Sequence, residues 1–150
     1  MQVSARVHYA CLAMIDLAAR YESGRPVALR EIVSRQGMPQ PFLVQILQTL
    51  RSAGFVISTR GSNGGYRLMM APEQITVADI AEAFGGDSTG VAALGGSGPM
   101  SGESRSSIEQ GAMMRVWREA DAAAQEVLKR TRLSDLVQMV EGVAAEMFYI

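Results

Sequence analysis

"MPQPFLVQILQTLRSAGFVISTRGSNGGYRLMM", residues 38–70, changes its hydrophobic period halfway along. Up to Gly54 the apolar residues Phe42, Leu43, Ile46, Leu47 and Leu50 recur at threes and fours, the spacing of one helix face. Pro39 and Pro41 suit the first turn, where an amide hydrogen is not needed, and Gly54 ends the helix. From Phe55 onward "FVIST" and "YRLMM" are short strand-forming runs, and the glycine-rich "RGSNGG" between them joins them as a hairpin.

Two further helices are expected upstream. In "MQVSARVHYACLAMIDLAARYE" the residues Val7, Ala10, Cys11, Met14, Ile15, Leu17 and Ala18 form an apolar stripe, with Ser4 as its cap. "SGRPV" (23–27) breaks it. "ALREIVSRQG" (28–37) then gives a short helix with Leu29, Ile32 and Val33 inward and Gly37 as its stop. Downstream, "PEQITVADIAEAFGG" (72–86) places Asp79 three residues after Thr76, a cap followed by one or two helical turns. Residues 85–107 hold seven glycines and six serines and no periodic apolar pattern, which predicts a flexible loop. A long helix is expected over 108–130, with Met113, Val116, Trp117, Ala120, Ala124 and Val127 on one stripe. Thr131 is expected to cap a final short helix, "RLSDLVQMVEG", before the apolar tail "AAEMFYI". The expected organisation is therefore three parts: 1–84, the loop 85–107, and 108–150.

Composition narrows the function classes. Apolar residues are 48% and charged residues 19% of the 150, ordinary for a soluble domain. No apolar run approaches the roughly 20 residues of a membrane span. Arg6, His8 and Asp16 interrupt the first segment too often for a signal peptide, so a cytoplasmic protein with no membrane partner is expected. A single cysteine, Cys11, rules out an internal disulfide framework and a cysteine-rich metal site within one chain. The formal charge of −1 hides a separation of signs. Residues 1–67 carry eight arginines and three acids, a net of +5, whereas residues 68–150 carry six basic and twelve acidic residues, a net of −6. A basic front half points toward a polyanionic partner. One His, one Cys and scattered acids make no nucleophile–base pair or carboxylate set, so no enzyme is expected.

Three short helices followed by a two-stranded hairpin is the order of a winged helix-turn-helix, mainly α with a β-hairpin wing. In that architecture the third helix enters the major groove and the hairpin lies beside it on the backbone or in the minor groove. A wing tip must approach phosphates closely and supply cations. Gly61, Gly64 and Gly65 allow the approach, Arg60 supplies charge, and Asn63 tolerates a left-handed backbone and donates a hydrogen bond. Ser62 and Tyr66 complete the tip. An Asn-Gly hairpin turn is also the commonest of turns and needs no ligand. On the third helix the apolar stripe leaves Gln40, Gln45, Gln48, Thr49 and Arg51 outside. Glutamine can pair with adenine through both donor and acceptor, and arginine serves guanine or phosphate. A merely solvated face is the alternative.

The motifs "SARVHYACLAMIDLA" (4–18), "LREIVSRQGMPQPFLVQILQTLRSAGFVISTRGSNGGYRL" (29–68) and "ITVADIAEAFGG" (75–86) strongly resemble the Rrf2 family of bacterial transcription regulators. The resemblance resumes at "RVWREADAAAQEVLKRTRLSDLV" (115–137), and "MFYI" (147–150) is similar to the tail of the family's cysteine-metabolism repressors. It implies a homodimeric repressor or activator that binds a double-stranded DNA operator, with the long helix as the dimer seam. It further implies that Ser4, Arg6 and Tyr9 touch phosphate, that Gln40, Pro41 and Gln45 reach the major groove, and that Arg60 to Ser62 reach the minor groove. Some relatives bind a cysteine-synthesis enzyme, so a protein-interaction module that binds a metabolic enzyme is the rival function.

Cluster-binding members of the family carry three cysteines in the loop before the long helix, often with a histidine just before a tryptophan. Anchored on Trp117, the histidine place is Met114 and the last cysteine place is Gly111, with the upstream places near Arg105 and Pro99. None of these can ligate iron as thiolate or imidazole does, so no iron–sulfur cluster is expected in the loop, and no other cofactor or metal. His8 and Cys11, three apart on the first helix, are the remaining candidates for sensing. Cys11 lies in the apolar stripe, however, where a cysteine ordinarily behaves as a small hydrophobe.

Overall fold

A computed structural model describes residues 3–85 and 105–148; most of the expected loop, 86–104, lies outside the described residues. The elements run α1 (Ala5–Ala18), α2 (Leu29–Gln36), α3 (Gln40–Ser52), β1 (Val56–Thr59), β2 (Gly65–Leu68), α4 (Val77–Ala83), α5 (Arg105–Arg130) and α6 (Leu133–Phe148). One core joins α1–α3 to the hairpin and to the starts of α4 and α6. Met14 and Leu17 of α1, Ile32 of α2, and Leu43, Ile46, Leu47 and Leu50 of α3 are fully buried with Ile75, Ile80 and Leu133. This is a winged helix, and its helix boundaries follow local chemistry. Ser4 Oγ accepts from the Val7 amide at 3.2 Å and starts α1. Thr76 and Asp79 satisfy each other's amides at 3.1 and 2.8 Å and start α4, as their spacing predicts.

The hairpin pairs Val56 with Leu68 and Ser58 with Tyr66 in antiparallel register. Val56 and Leu68 are buried, so the alternation puts Ser58 and Tyr66 on that same inner face. A third segment joins the hairpin at one residue. Val27 and Tyr66 exchange both backbone hydrogen bonds at 2.8 Å, which fastens the wing to the connection before α2.

The C-terminal segment differs from expectation at its cap, its tail and the start of its long helix. Thr131 does not cap α6. Its hydroxyl donates to the Val127 carbonyl at 2.7 Å and closes α5, while Asp135 accepts from the Arg132 amide at 2.8 Å and fixes the start of α6. The tail after Gly142 is also no loose end: α6 continues to Phe148. A lone glycine is tolerated inside a helix at a cost of about 1 kcal/mol relative to alanine. The long helix begins at Arg105, inside the stretch expected to be loop. The segment 131–133 bridges to the strand-like stretch before α4 through Val77 N to Thr131 O, at 2.9 Å, and Leu133 N to Ile75 O, at 2.8 Å. Leu133 thereby completes the core of the N-terminal helices, and Leu136 and Val137 pack against it. No helix among the described residues is long and apolar enough to cross a membrane.

Candidate nucleic-acid interface

α3 buries Leu43, Ile46, Leu47 and Leu50 and leaves Gln40, Pro41, Gln45, Gln48 and Arg51 exposed; Thr49, also expected outside, is half-buried, and its hydroxyl donates to the Gln45 carbonyl at 3.2 Å. The exposed face is tied directly to the wing: Arg51 Nη1 donates to Ser58 Oγ on β1 at 3.2 Å. Arg51 was expected among the DNA contacts. In the structure it also sets the position of the wing strand relative to α3, a role that residue spacing cannot show because it spans two elements.

The wing-tip glycines stand in different surroundings. Arg60, Gly61, Ser62 and Asn63 are exposed. The Gly64 amide donates to the Gly61 carbonyl at 3.0 Å, closing a four-residue turn. No residue other than glycine has a positive φ among the described residues, so Asn63 does not take the left-handed conformation expected of it. Gly61 does, at φ 114°, with open space around it, and is the glycine free to meet a ligand. Gly64 and Gly65 are required by the protein itself. A Cβ on Gly65 would lie 2.2 Å from the Val27 carbonyl oxygen, and one on Gly64 would lie 2.2 Å from the Thr59 carbonyl oxygen. Tyr66 is half-buried against the core, with its backbone committed to Val27, so its ring belongs as much to the fold as to any surface.

At the start of α1, the Ser4 hydroxyl serves as the helix cap, and Arg6 is exposed with its guanidinium 5.4 Å from the centroid of the Phe84 ring. Tyr9 is half-buried and meets Phe42 of α3 edge-on at 5.5 Å. Tyr9 therefore lies against the first turn of α3, whereas Arg6 sits beside Phe84 at the end of α4. The basic front half divides in a way not visible in composition. Asp16, 4% exposed, accepts from Arg20, just past the C-terminal end of α1, and from Arg35 of α2 at 3.0 and 3.1 Å. The other six front-half arginines, at positions 6, 25, 30, 51, 60 and 67, are exposed. A buried carboxylate thus holds α1 to α2 and consumes two of the eight cations, leaving the rest at the surface.

His8 is exposed, edge-on to Tyr9 at 5.6 Å. Cys11 packs against the core, and its burial pushes the thiol pKa up to about 11. At neutral pH it is a protonated thiol, the less reactive form, so its surroundings suit packing better than sensing. Among the described residues no three His, Cys, Asp or Glu side chains gather where they could hold a metal.

On α5, Met113, Val116, Trp117, Ala120 and Val127 are exposed and Ala124 is half-buried, so the expected stripe faces outward from this chain. Sequence reasoning missed its counterpart on α6. Met139, Val140, Val143, Met147 and Phe148 are also exposed, Phe148 by 85%. Their periodicity was open to inspection, but a helix expected to stop at Gly142 hid it.

The model of the Rrf2 family, described as an iron-dependent transcriptional regulator, matches residues 3–139. The regulator IscR of Cereibacter sphaeroides is 36% identical over 140 residues, covering 92% of this chain and 88% of that protein. CymR of Bacillus subtilis is 33% identical over the full length of both chains. The solved structure of CymR, the global cysteine regulator of B. subtilis, superposes with a TM-score of 0.76 at 30% identity, covering 93% of this chain and 98% of that one. The structure of IscR from T. potens gives 0.73 at 33% identity, covering 95% and 90%. With the winged helix, the exposed glutamine face and the arginine at the wing tip already in place, these likenesses make one conclusion: the chain belongs to the Rrf2 family of transcriptional regulators.

Proposed function

We propose that this regulator acts as a homodimer on a specific double-stranded DNA operator. α3 enters the major groove, the Arg60–Asn63 tip reaches the adjacent backbone or minor groove, and α5 forms the seam between protomers. The observation that carries this reading is the Arg51–Ser58 bond, which ties α3 to the wing while the glutamines of one and the arginine of the other remain exposed. Phosphate contacts position such a domain and base contacts give it sequence preference. The six front-half arginines not bound to Asp16 supply the first, and Gln40 and Gln45 the second.

Arg60→Ala is expected to weaken binding to operator and to unrelated DNA alike. The slope of log affinity against log salt should become shallower by about one, as for the loss of a single cation at the backbone. A salt titration in which the variant matches the wild type would remove Arg60 from the interface.

The same reading places no iron–sulfur cluster in the loop. Residues 85–115 contain neither Cys nor His, and the chain's one Cys and one His both lie on α1. A [2Fe–2S] cluster takes four thiolate or imidazole donors, and the oxygens of Ser, Asp and Glu are poor substitutes for soft metal ions. The residues present therefore do not fit the cluster that the cluster-binding members of the family would hold there. Anaerobic reconstitution with iron and sulfide should leave the protein without stoichiometric visible absorbance. Absorbance that persists in Cys11→Ser would show that the loop does hold a cluster.

A further inference from the structure

The exposed side of α3 contains one aliphatic side chain that the core does not use. Val44 is half-buried, yet it stands outside the hydrophobic cluster that takes in Phe42, Leu43, Ile46 and Leu47 around it. It is the fifth residue of α3 and so lies in the part of a recognition helix that contacts base edges. Gln40 and Gln48 stand one turn to either side of it, at four-residue spacing, and both are exposed. Arg51 lies two turns on, at seven-residue spacing, and Arg51 reaches Ser58 of the wing strand. Val44 therefore sits on the flank of α3 that turns toward the wing, framed by amide side chains.

We propose that Val44 is a specificity-determining residue that reads the 5-methyl group of a thymine in the major groove; this rests on the DNA-binding reading above. In the major groove thymine alone presents a methyl, and apolar side chains are the groups that distinguish it. An isopropyl group on a groove-facing helix gains nothing from water and cannot hydrogen-bond to a base edge. Against a methyl it buries apolar surface on both partners. The flanking glutamines can pair with adenine at the same time, so the half-site is expected to combine a thymine contacted through its methyl with an adenine contacted by amide.

The test begins with an operator selected by the full-length protein from a random-sequence pool. Each thymine of one half-site is then replaced singly by deoxyuridine, which removes the methyl and leaves the hydrogen-bonding edge intact. One position should lose about fourfold in affinity, the worth of one buried methyl. In Val44→Ala that position should tolerate uracil as well as thymine, while affinity for unrelated DNA and the helical circular dichroism match the wild type. Selection of an operator in which every thymine tolerates uracil would overturn the role of Val44 and leave DNA binding standing. So would a uracil-sensitive position that stays equally sensitive in Val44→Ala. Failure to enrich any sequence would instead overturn the specific DNA-binding reading on which the assignment rests.

Discussion

Gly65→Ala is expected to cost about 3 kcal/mol of stability, whereas Gly61→Ala, four residues earlier in the same tip, should cost about 1. The difference comes from what each Cβ would meet. At Gly65 it would lie 2.2 Å from the oxygen and 2.4 Å from the carbon of the Val27 carbonyl, both backbone atoms that cannot swing away. Relief requires opening the Val27–Tyr66 bridge, with its two hydrogen bonds of 2.8 Å, and moving the wing off the connection before α2. Each lost bond is worth about 1 kcal/mol net, and residual crowding adds to that. At Gly61 nothing lies within 4 Å, and the cost is only the strain of an L-residue at φ 114°. Chemical denaturation of both variants would read this as two unequal shifts of midpoint at an unchanged slope. Gly65→Ala should also weaken operator binding, because the displaced wing no longer holds Arg60 beside α3. Equal midpoints for the two variants would mean that the bridge is not what requires glycine at 65.

That contrast shows where the sequence was informative. The helices that carry α3 and its neighbours follow from periodic burial: Leu43, Ile46, Leu47 and Leu50 repeat, and repetition is what a sequence displays. The cap at Thr76 and Asp79 was equally legible, since both partners lie within one turn. The features that were missed involve single residues meeting across large separations. The Val27–Tyr66 bridge is one residue wide and has no period. Asp16 interrupts an apolar stripe and looks from sequence like a solvated charge, yet it is buried and bound to Arg35, nineteen residues away. Glycines in a turn state only that a Cβ is unwelcome; whether the obstacle is a ligand or the protein's own backbone depends on the neighbour. The site was therefore legible as a set of residue types on α3 and the wing tip, but the bonds that position them, through Arg51, Val27 and Tyr9, were not. Val44 escaped for a related reason, because in "FLVQIL" it cannot be told apart from the core residues beside it.

The largest effect is expected from a charge placed in the proposed seam. Trp117→Glu should turn the dimer into a monomer at micromolar concentration and lower operator affinity by at least about 100-fold, because a monomer can engage only one half-site at a time. The argument starts from exposure. Trp117 and Val116 are 44% and 53% exposed in the single chain, an unusual state for side chains of that size side by side on one helix. Met113, Trp117, Ala120, Ala124 and Val127 follow one another at intervals of four and three, the repeat with which two helices mesh along a seam. Ala120 and Ala124 are small enough to let the backbones approach, and the indole beside them can bury about 150–250 Å². In a twofold interface every substitution counts twice. If burying an unpaired carboxylate costs about 3 kcal/mol per protomer, the pair weakens association by about 6, or roughly four powers of ten in dissociation constant. Trp117→Phe keeps an apolar ring in the seam and should remain dimeric, which separates loss of the interface from loss of the tryptophan itself. Sedimentation or light scattering would report the assembly state, and operator titration of the same samples its consequence. A Trp117→Glu protein that stays dimeric would move the seam off α5, and the exposed face of α6, with Met139, Val143 and Met147, would be the surface left to form it.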